Sequence, residues 1–301
     1  MPDPSKPILI RDLNGFDDFA KVEALEQEIW LMSERDVLPT AMSLATKEAG
    51  HIWVGAFAGD TLVGFAFGFL GVEHGQLTVH SHMLGVQELY RNSDLGYKLK
   101  LAERDRAISV RIRGPRNEDL KIKVMNWTFD PLQSRNAHLN FSKLGVVSDN
   151  YKVDFYGPET SSVLHRNGTD RLWVRWPMIS RRVEACLRGR QNRAEILDVL
   201  STVAPLVRFN GDGKPVRSDL QAALQRQRIA IEIPSDIIRV ENKDPSLAHE
   251  WRLATRWAFT EALKAGFLVV EFCRTVRGQQ GPGAYVLERG KIEEFVPEMG
   301  E

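Results

Sequence analysis

The sequence predicts an α/β chain in which helices flank a mixed, twisted sheet, with an additional α/β half toward its C-terminal end. Three observations lead there. Two β-rich runs, His51–Ala58 and Thr61–Phe69, are separated only by Gly59-Asp60, the spacing of an antiparallel hairpin. A third β-like run, Gln76 to Glu88, leads into a helical stretch from Tyr97 to about Arg111 that holds no Gly or Pro. The length, 301 residues, suits about two domains, divided here as residues 1–158 and 159–301.

The elements follow in order. Ile8–Arg11 is a short strand, and Phe19, Val22, Leu25 and Ile29 fall at helical spacing between Asp17 and Met32. After the hairpin, the third run and its helix, Gly114-Pro115 stops the chain, Leu120–Phe129 makes a strand, and Ser134 to Leu144 a short helix ended by Gly145. Tyr151–Tyr156 is a further strand closed by Gly157-Pro158. Beyond it, Leu172–Trp176 and Ile229–Ile233 read as strands around a polar stretch, Arg181 to Gln227. Asp244-Pro245 caps a helix that runs through Lys264 to Gly266, and Phe267–Arg274 and Tyr285–Arg289 are strands around a Gly-rich turn, Gly278 to Gly283. No repeat of fixed period is visible, although a divergent duplication in the second half stays open.

Forty Lys+Arg balance forty Asp+Glu, and 43% hydrophobic with 27% charged residues is a globular composition. That removes disorder and a basic field for nucleic acid. Two cysteines, Cys186 and Cys273, are too few for a disulfide framework or a four-cysteine zinc module. The N-terminal residues lack a secretory pattern, and the longest uncharged run, Thr61 to Val72, is too short to span a bilayer. The expectation is a cytoplasmic protein without membrane or nucleic-acid partners.

Chemistry concentrates after the third run. A strand that turns directly into a helix aims unpaired backbone N–H groups and the positive helix end at one point, which suits phosphate. Arg91-Asn92-Ser93-Asp94-Leu95-Gly96 followed by Tyr97 sits at such a junction, and Gly96 leaves room for a ligand to approach the backbone.

This segment resembles the Gln/Arg-x-x-Gly-x-Gly/Ala signature of the GCN5-related N-acetyltransferase (GNAT) superfamily, and Asn136 to Val146 resembles that superfamily's later Asn…Ala…Lys-x-Gly-Phe segment. The order of elements over residues 8 to about 157 agrees. Ser81-His82-Met83-Leu84-Gly85-Val86, Trp127 to Leu132 and Asp170-Arg171-Leu172-Trp173 are similar to a bacterial subgroup of predicted acetyltransferases. The resemblance implies a GNAT-like fold, coenzyme A pyrophosphate at Arg91–Tyr97, a pantetheine arm near Asn136, thioester-polarising N–H groups around Leu84, Gly85 and Val86, and acetyl-CoA or another acyl-CoA as co-substrate with no metal.

Two positions depart from the superfamily. Asp94 stands where the first glycine is usual: either it caps the helix and leaves phosphate binding to Gly96 and its neighbours, or tight coenzyme binding is lost. Phe141 falls where many members carry a tyrosine that protonates the departing thiolate, which a phenyl ring cannot do. Water or Ser142 would then serve, since a thiolate leaves tolerably near neutrality.

Transfer to an amine needs a base. On an extended strand His80, His82, Leu84 and Val86 share one face, because side chains alternate, so both imidazoles can look into one cleft. His82 is the first candidate and His80 the second, with Glu88 and Asp130 as carboxylate alternatives. Arg171 suits an acceptor carboxylate. The expected activity is N-acyl transfer to a primary amine of a small molecule such as an amino acid, and a homodimer is compatible with it. The alternatives are a non-catalytic coenzyme A sensor and a cupin-like metalloenzyme, because Gly75, His80-x-His82, Glu88 and Gly96 approach the cupin spacing.

Overall fold

Near-continuous apolar runs, buried on both faces, and a Gly-Asp turn build the first sheet. In the computed structural model, residues 6–31, 33–34, 36–73, 75–91, 93–157, 166–189, 203, 205–276 and 279–296 are described. They form two units, one taking residues up to Trp127 together with residue 166, the other taking the remainder.

In the first unit, β1 (Ile8–Asp12), β2 (Ile52–Ala58), β3 (Thr61–Glu73) and β4 (Gln76–Val86) pair antiparallel in that order. Gly59 makes the β2–β3 turn with φ of 63°, a conformation cheap only without a Cβ. β7 (Val124–Phe129) then joins β4 in parallel, after the two-residue strands β5 (Ile112–Arg113) and β6 (Asp119–Leu120). The expected strand from Leu120 is thus interrupted before Val124. Helix α1 (Gly15–Trp30) lays Phe19, Val22 and Leu25 on Trp53, Phe57, Phe65 and Phe67. Trp53 stacks on Phe67 with ring centroids 4.0 Å apart, and each such buried side chain contributes about 1.5–3 kcal/mol. Helix α2 (Thr40–Glu48) was not legible in the sequence: it buries only Ser43, so no apolar stripe marks it. Helix α3 (Leu95–Ser109) crosses the other sheet face.

The second unit begins with Thr128, not at residue 158 where the sequence reading divides the chain. The reason is bonding: residues 128–157 are tied to later segments by Asp130 to Arg252, the Tyr285 hydroxyl to the Pro131 carbonyl, and Ser142 to the Phe272 carbonyl. α4 (Ser134–Ala137) continues as a π-helical turn, His138–Leu144, ended by Gly145 at φ 76°. The sheet order is β9 (Arg171–Pro177), β8 (Val147–Lys152), β13 (Phe267–Val276), β14 (Gln279–Arg289), β12 (Arg228–Ile233), β10 (Pro205–Phe209), β11 (Pro215–Arg217), with β10–β12 parallel and the neighbours from β9 to β12 and β10–β11 antiparallel among the described residues. Strand β8 lies earlier than the expected Tyr151–Tyr156, because the chain turns after Lys152 with Asp154 at φ 45°.

Among the described residues, four helices complete it: α5 (Arg181–Leu187), α6 (Leu220–Leu224), α7 (Ile237–Lys243) and α8 (Pro245–Lys264). As expected, Asp244 caps α8, accepting the Leu247 N–H at 3.0 Å. The expected Gly-rich turn is instead strand from Gln279 onward. Gly283 is required by packing, since a Cβ there would lie 2.2 Å from the Phe272 ring.

Candidate active site

In the first unit, β4 changes character at His82. The pairs Phe67↔Met83 and Gly68↔Ser81 leave His82 as an extra residue, a β-bulge. Alternation is therefore reset. His80, opposite Phe69, lies on the α1 face of the sheet, whereas Leu84 and Val86 lie on the α3 face, where a Cβ on Gly96 would meet them at 3.5 and 3.9 Å. The expectation that these four side chains share a face is corrected by the bulge. The two imidazoles still meet, with centroids 6.0 Å apart, beside Phe69.

Pairing between β4 and β7 covers Thr78↔Val124 to His80↔Asn126 and stops, while β4 runs on to Val86. Gln87 donates its N–H to Val63 on the β3 side at 2.9 Å. Counting back in twos, the Gly85 N–H also faces β3, and the Leu84 and Val86 N–H groups face the opposite edge, where β7 no longer pairs. The Arg91 Nε closes on the Val86 carbonyl there at 3.1 Å.

The loop beyond is short. Glu88–Tyr90 form a 3-10 turn, and Ser93 Oγ donates to the Tyr90 carbonyl at 2.7 Å. Asn92 lies outside the described residues. Asp94 precedes α3 with φ of 57°, and its side chain makes no capping hydrogen bond. Asp94 thus holds a left-handed conformation that glycine favours and that Asp tolerates better than most. The first intrahelical bond is Lys98 N–H to the Asp94 carbonyl, 3.0 Å, so the N–H groups of Leu95, Gly96 and Tyr97 precede the helical ladder.

His80 is the more firmly oriented of the two imidazoles. Its Nδ1 is 2.6 Å from Asn126 Oδ1, and Asn126 Nδ2 donates to Glu73 Oε2 at 2.9 Å. With the amide donating to Glu73, its oxygen accepts the Nδ1 hydrogen, which assigns the lone pair to Nε2. Burial lowers His80 below its ordinary value; Asn126 and Glu73 oppose this and the Lys100 charge adds to it. Burial also lowers His82, whose ring is exposed along one side among aromatic neighbours. Sequence reasoning missed Asn126 and Glu73: an amide in a buried strand and a carboxylate at a hairpin end carry no spacing signal. Glu88, on the exposed 3-10 turn, makes no contact with either histidine among the bonds described.

Behind this, on the α3 face, Ser81, Lys100 and Glu103 close a buried ring: Lys100 Nζ to Ser81 Oγ 2.5 Å, Ser81 Oγ to Glu103 Oε2 2.8 Å, Lys100 Nζ to Glu103 Oε2 2.9 Å. Lys100 Nζ also sits 4.3 Å from the Trp127 ring centroid. A cleft of about 390 Å³ elsewhere in the unit, lined by Lys47, His51, Trp53 and Arg106 among others, contains none of the residues named from sequence. Among the described residues no group of three or more His, Cys, Asp or Glu side chains could hold a metal, and no helix is long and apolar enough to cross a membrane.

The remaining candidates belong to the second unit. Asp130 is bidentate to Arg252, 2.8 Å on each oxygen, and also accepts the Leu132 N–H, so its oxygens are committed to structure. Asn136 is exposed on α4. Phe141 is fully buried against Phe129 and Tyr285. Arg171 is buried beside the Tyr156 ring, donates to the Asp170 carbonyl, and has its pKa lowered by that burial, against the pull of Asp130. That places it inside a packed network.

Several solved GNAT-family acetyltransferases are similar to this chain. The ribosomal-protein-S18-alanine N-acetyltransferase of Escherichia coli is similar at 14% identity over 57% of this chain and 94% of its own, with a TM-score of 0.42. A putative acetyltransferase of Salmonella typhimurium, solved with acetyl-CoA, is similar at 17% identity over 58% of this chain and 96% of its own, with a TM-score of 0.43. A putative GNAT-family acetyltransferase from Desulfovibrio desulfuricans is similar at 12% identity over 56% and 98%, with a TM-score of 0.41. No family model and no curated protein matches the sequence.

Proposed function

We propose that the first unit binds acyl-coenzyme A and that the protein transfers the acyl group to a primary amine of a small molecule. One observation carries the reading: the β4 edge beyond His80, with the Leu84 and Val86 N–H groups facing outward, lies beneath the N-terminal turn of α3, because a Gly96 Cβ would touch those same two side chains. The helix end supplies N–H donors for the coenzyme's phosphates. The strand edge supplies donors for the thioester oxygen as it gains negative charge.

The chemistry follows from His80. Its Nε2 lone pair takes a proton from the neutral amine as that nitrogen attacks. The amine nitrogen bonds to the thioester carbon, the C–S bond breaks, and coenzyme A leaves as thiolate. With Phe141 buried, solvent supplies the thiolate's proton. Acetyl-CoA is the default donor, and amino acids are the first acceptors to try.

The experiment is thiol release on mixing the protein with acetyl-CoA and a panel of amines. Amine-dependent release supports the reading. Binding without release overturns the transferase reading and leaves a coenzyme A sensor; absence of both overturns the proposal whole.

A further inference from the structure

We propose that Lys100 is a positioning residue for His80: it ties α3 to β4 and β7 where the two strands part and keeps a fixed positive charge behind the imidazole. The inference rests on the reading of His80 as the base.

The geometry is specific. Ser81 follows His80 on β4, and Trp127 follows Asn126 on β7; His80 and Asn126 are the last pair that joins these strands. Lys100 reaches both following residues, bonding the Ser81 hydroxyl and lying over the Trp127 ring. It therefore grips each strand one residue past their final contact, from the opposite face of the sheet.

A long cation buried to 4% exposure needs a reason, because desolvating an ammonium is costly. Glu103, fully buried on the next turn of α3, supplies the counter-charge and shares the Ser81 hydroxyl. The ring of three holds Lys100 at one point. It also fixes the strand segment just before the bulge at His82, so that His80 meets Asn126 and the Leu84 and Val86 N–H groups keep their outward aim.

Charge is the second consequence. Among the described residues, the groups acting on His80 are Glu73 on β3, through neutral Asn126 on β7, His82 on β4, and, from the opposite face of the sheet, Lys100 on α3. The Lys100 charge disfavours a second positive charge on the imidazole. The base stays neutral at lower pH and ready to accept a proton.

The test reads His80 directly. The imidazole of the full chain is titrated by nuclear magnetic resonance, and the pH profile of thiol release is recorded alongside. Lys100→Met combined with Glu103→Gln removes both buried charges together, so neither is left uncompensated. The expected result is an upward shift of the His80 midpoint and a matching move of the acid limb to higher pH, with Lys100→Arg keeping the wild-type midpoint. Should that double variant fail to fold, Lys100→Gln combined with Glu103→Gln, which also removes both charges, provides the same reading. An unmoved His80 midpoint in a folded variant lacking the cation overturns the proposal. A midpoint that shifts in a protein releasing no thiol upholds the charge effect and counts against the transferase reading alone.

Discussion

Asn126 takes the Nδ1 hydrogen of His80 at 2.6 Å across the last residue pair that joins β4 to β7. The bond does for the imidazole what an orienting carboxylate does elsewhere: it selects one tautomer and presents the other nitrogen. His80→Gln should lower amine-dependent thiol release by about 10²–10⁴-fold while coenzyme affinity stays close to wild type. His82→Gln should cost far less. Because burial holds His80 below the ordinary imidazole value, release should be flat through neutrality and fall only as pH drops through that lowered value. A rate loss confined to His82→Gln would reverse the assignment.

Asp94 holds φ of 57° with a side chain that does not cap α3. Asp94→Val forces a branched side chain into that region and should cost about 1–2 kcal/mol in denaturant unfolding. Asp94→Gly should keep the fold and, by removing a carboxylate from the helix end proposed to meet pyrophosphate, tighten coenzyme A binding in a calorimetric titration.

The Asp130–Arg252 pair is structural. Arg252 is 1% exposed, and Arg252→Met leaves Asp130 without its partner, which should cost about 3–5 kcal/mol of stability in urea. Asp130→Asn should destabilise without moving the pH profile of thiol release. A shifted profile in a folded Asp130→Asn protein would return Asp130 to the catalytic candidates.

Glu26, 1% exposed on α1, is pushed up to about 7 by burial, against the pull of the Leu38 N–H and with Glu23 adding to the rise. Unfolded, it titrates near 4.5. The folded state therefore binds more protons between those values, so this contribution is full below the unfolded value and is lost as pH rises through about 7. Glu26→Gln should be relatively more stable than wild type at pH 8 than at pH 5, by thermal melting. Equal differences at both pH values would contradict the assignment.

The hairpin at Gly59-Asp60, the cap at Asp244 and the strand-to-helix loop before α3 were legible in the sequence, because each is set by local turn or capping chemistry. What was not legible depends on partners distant in the chain. The bulge at His82 appears only in the pairing with β3, and it moves Leu84 and Val86 to the face opposite His80. Asn126 gains its role from Glu73 and His80, 53 and 46 residues away. Gly283 reads as a turn residue until the Phe272 ring is placed against it. Asp130 and Arg171 look available for chemistry until Arg252 and Tyr156 are seen beside them.

Coenzyme binding is the claim on which the rest stands, and calorimetric titration of the protein with acetyl-, succinyl- and free coenzyme A tests it most directly. Saturable binding is expected, weakening when Gly96→Val adds bulk at the first turn of α3, with the preference among acyl groups naming the donor. No heat of binding at millimolar ligand would contradict it.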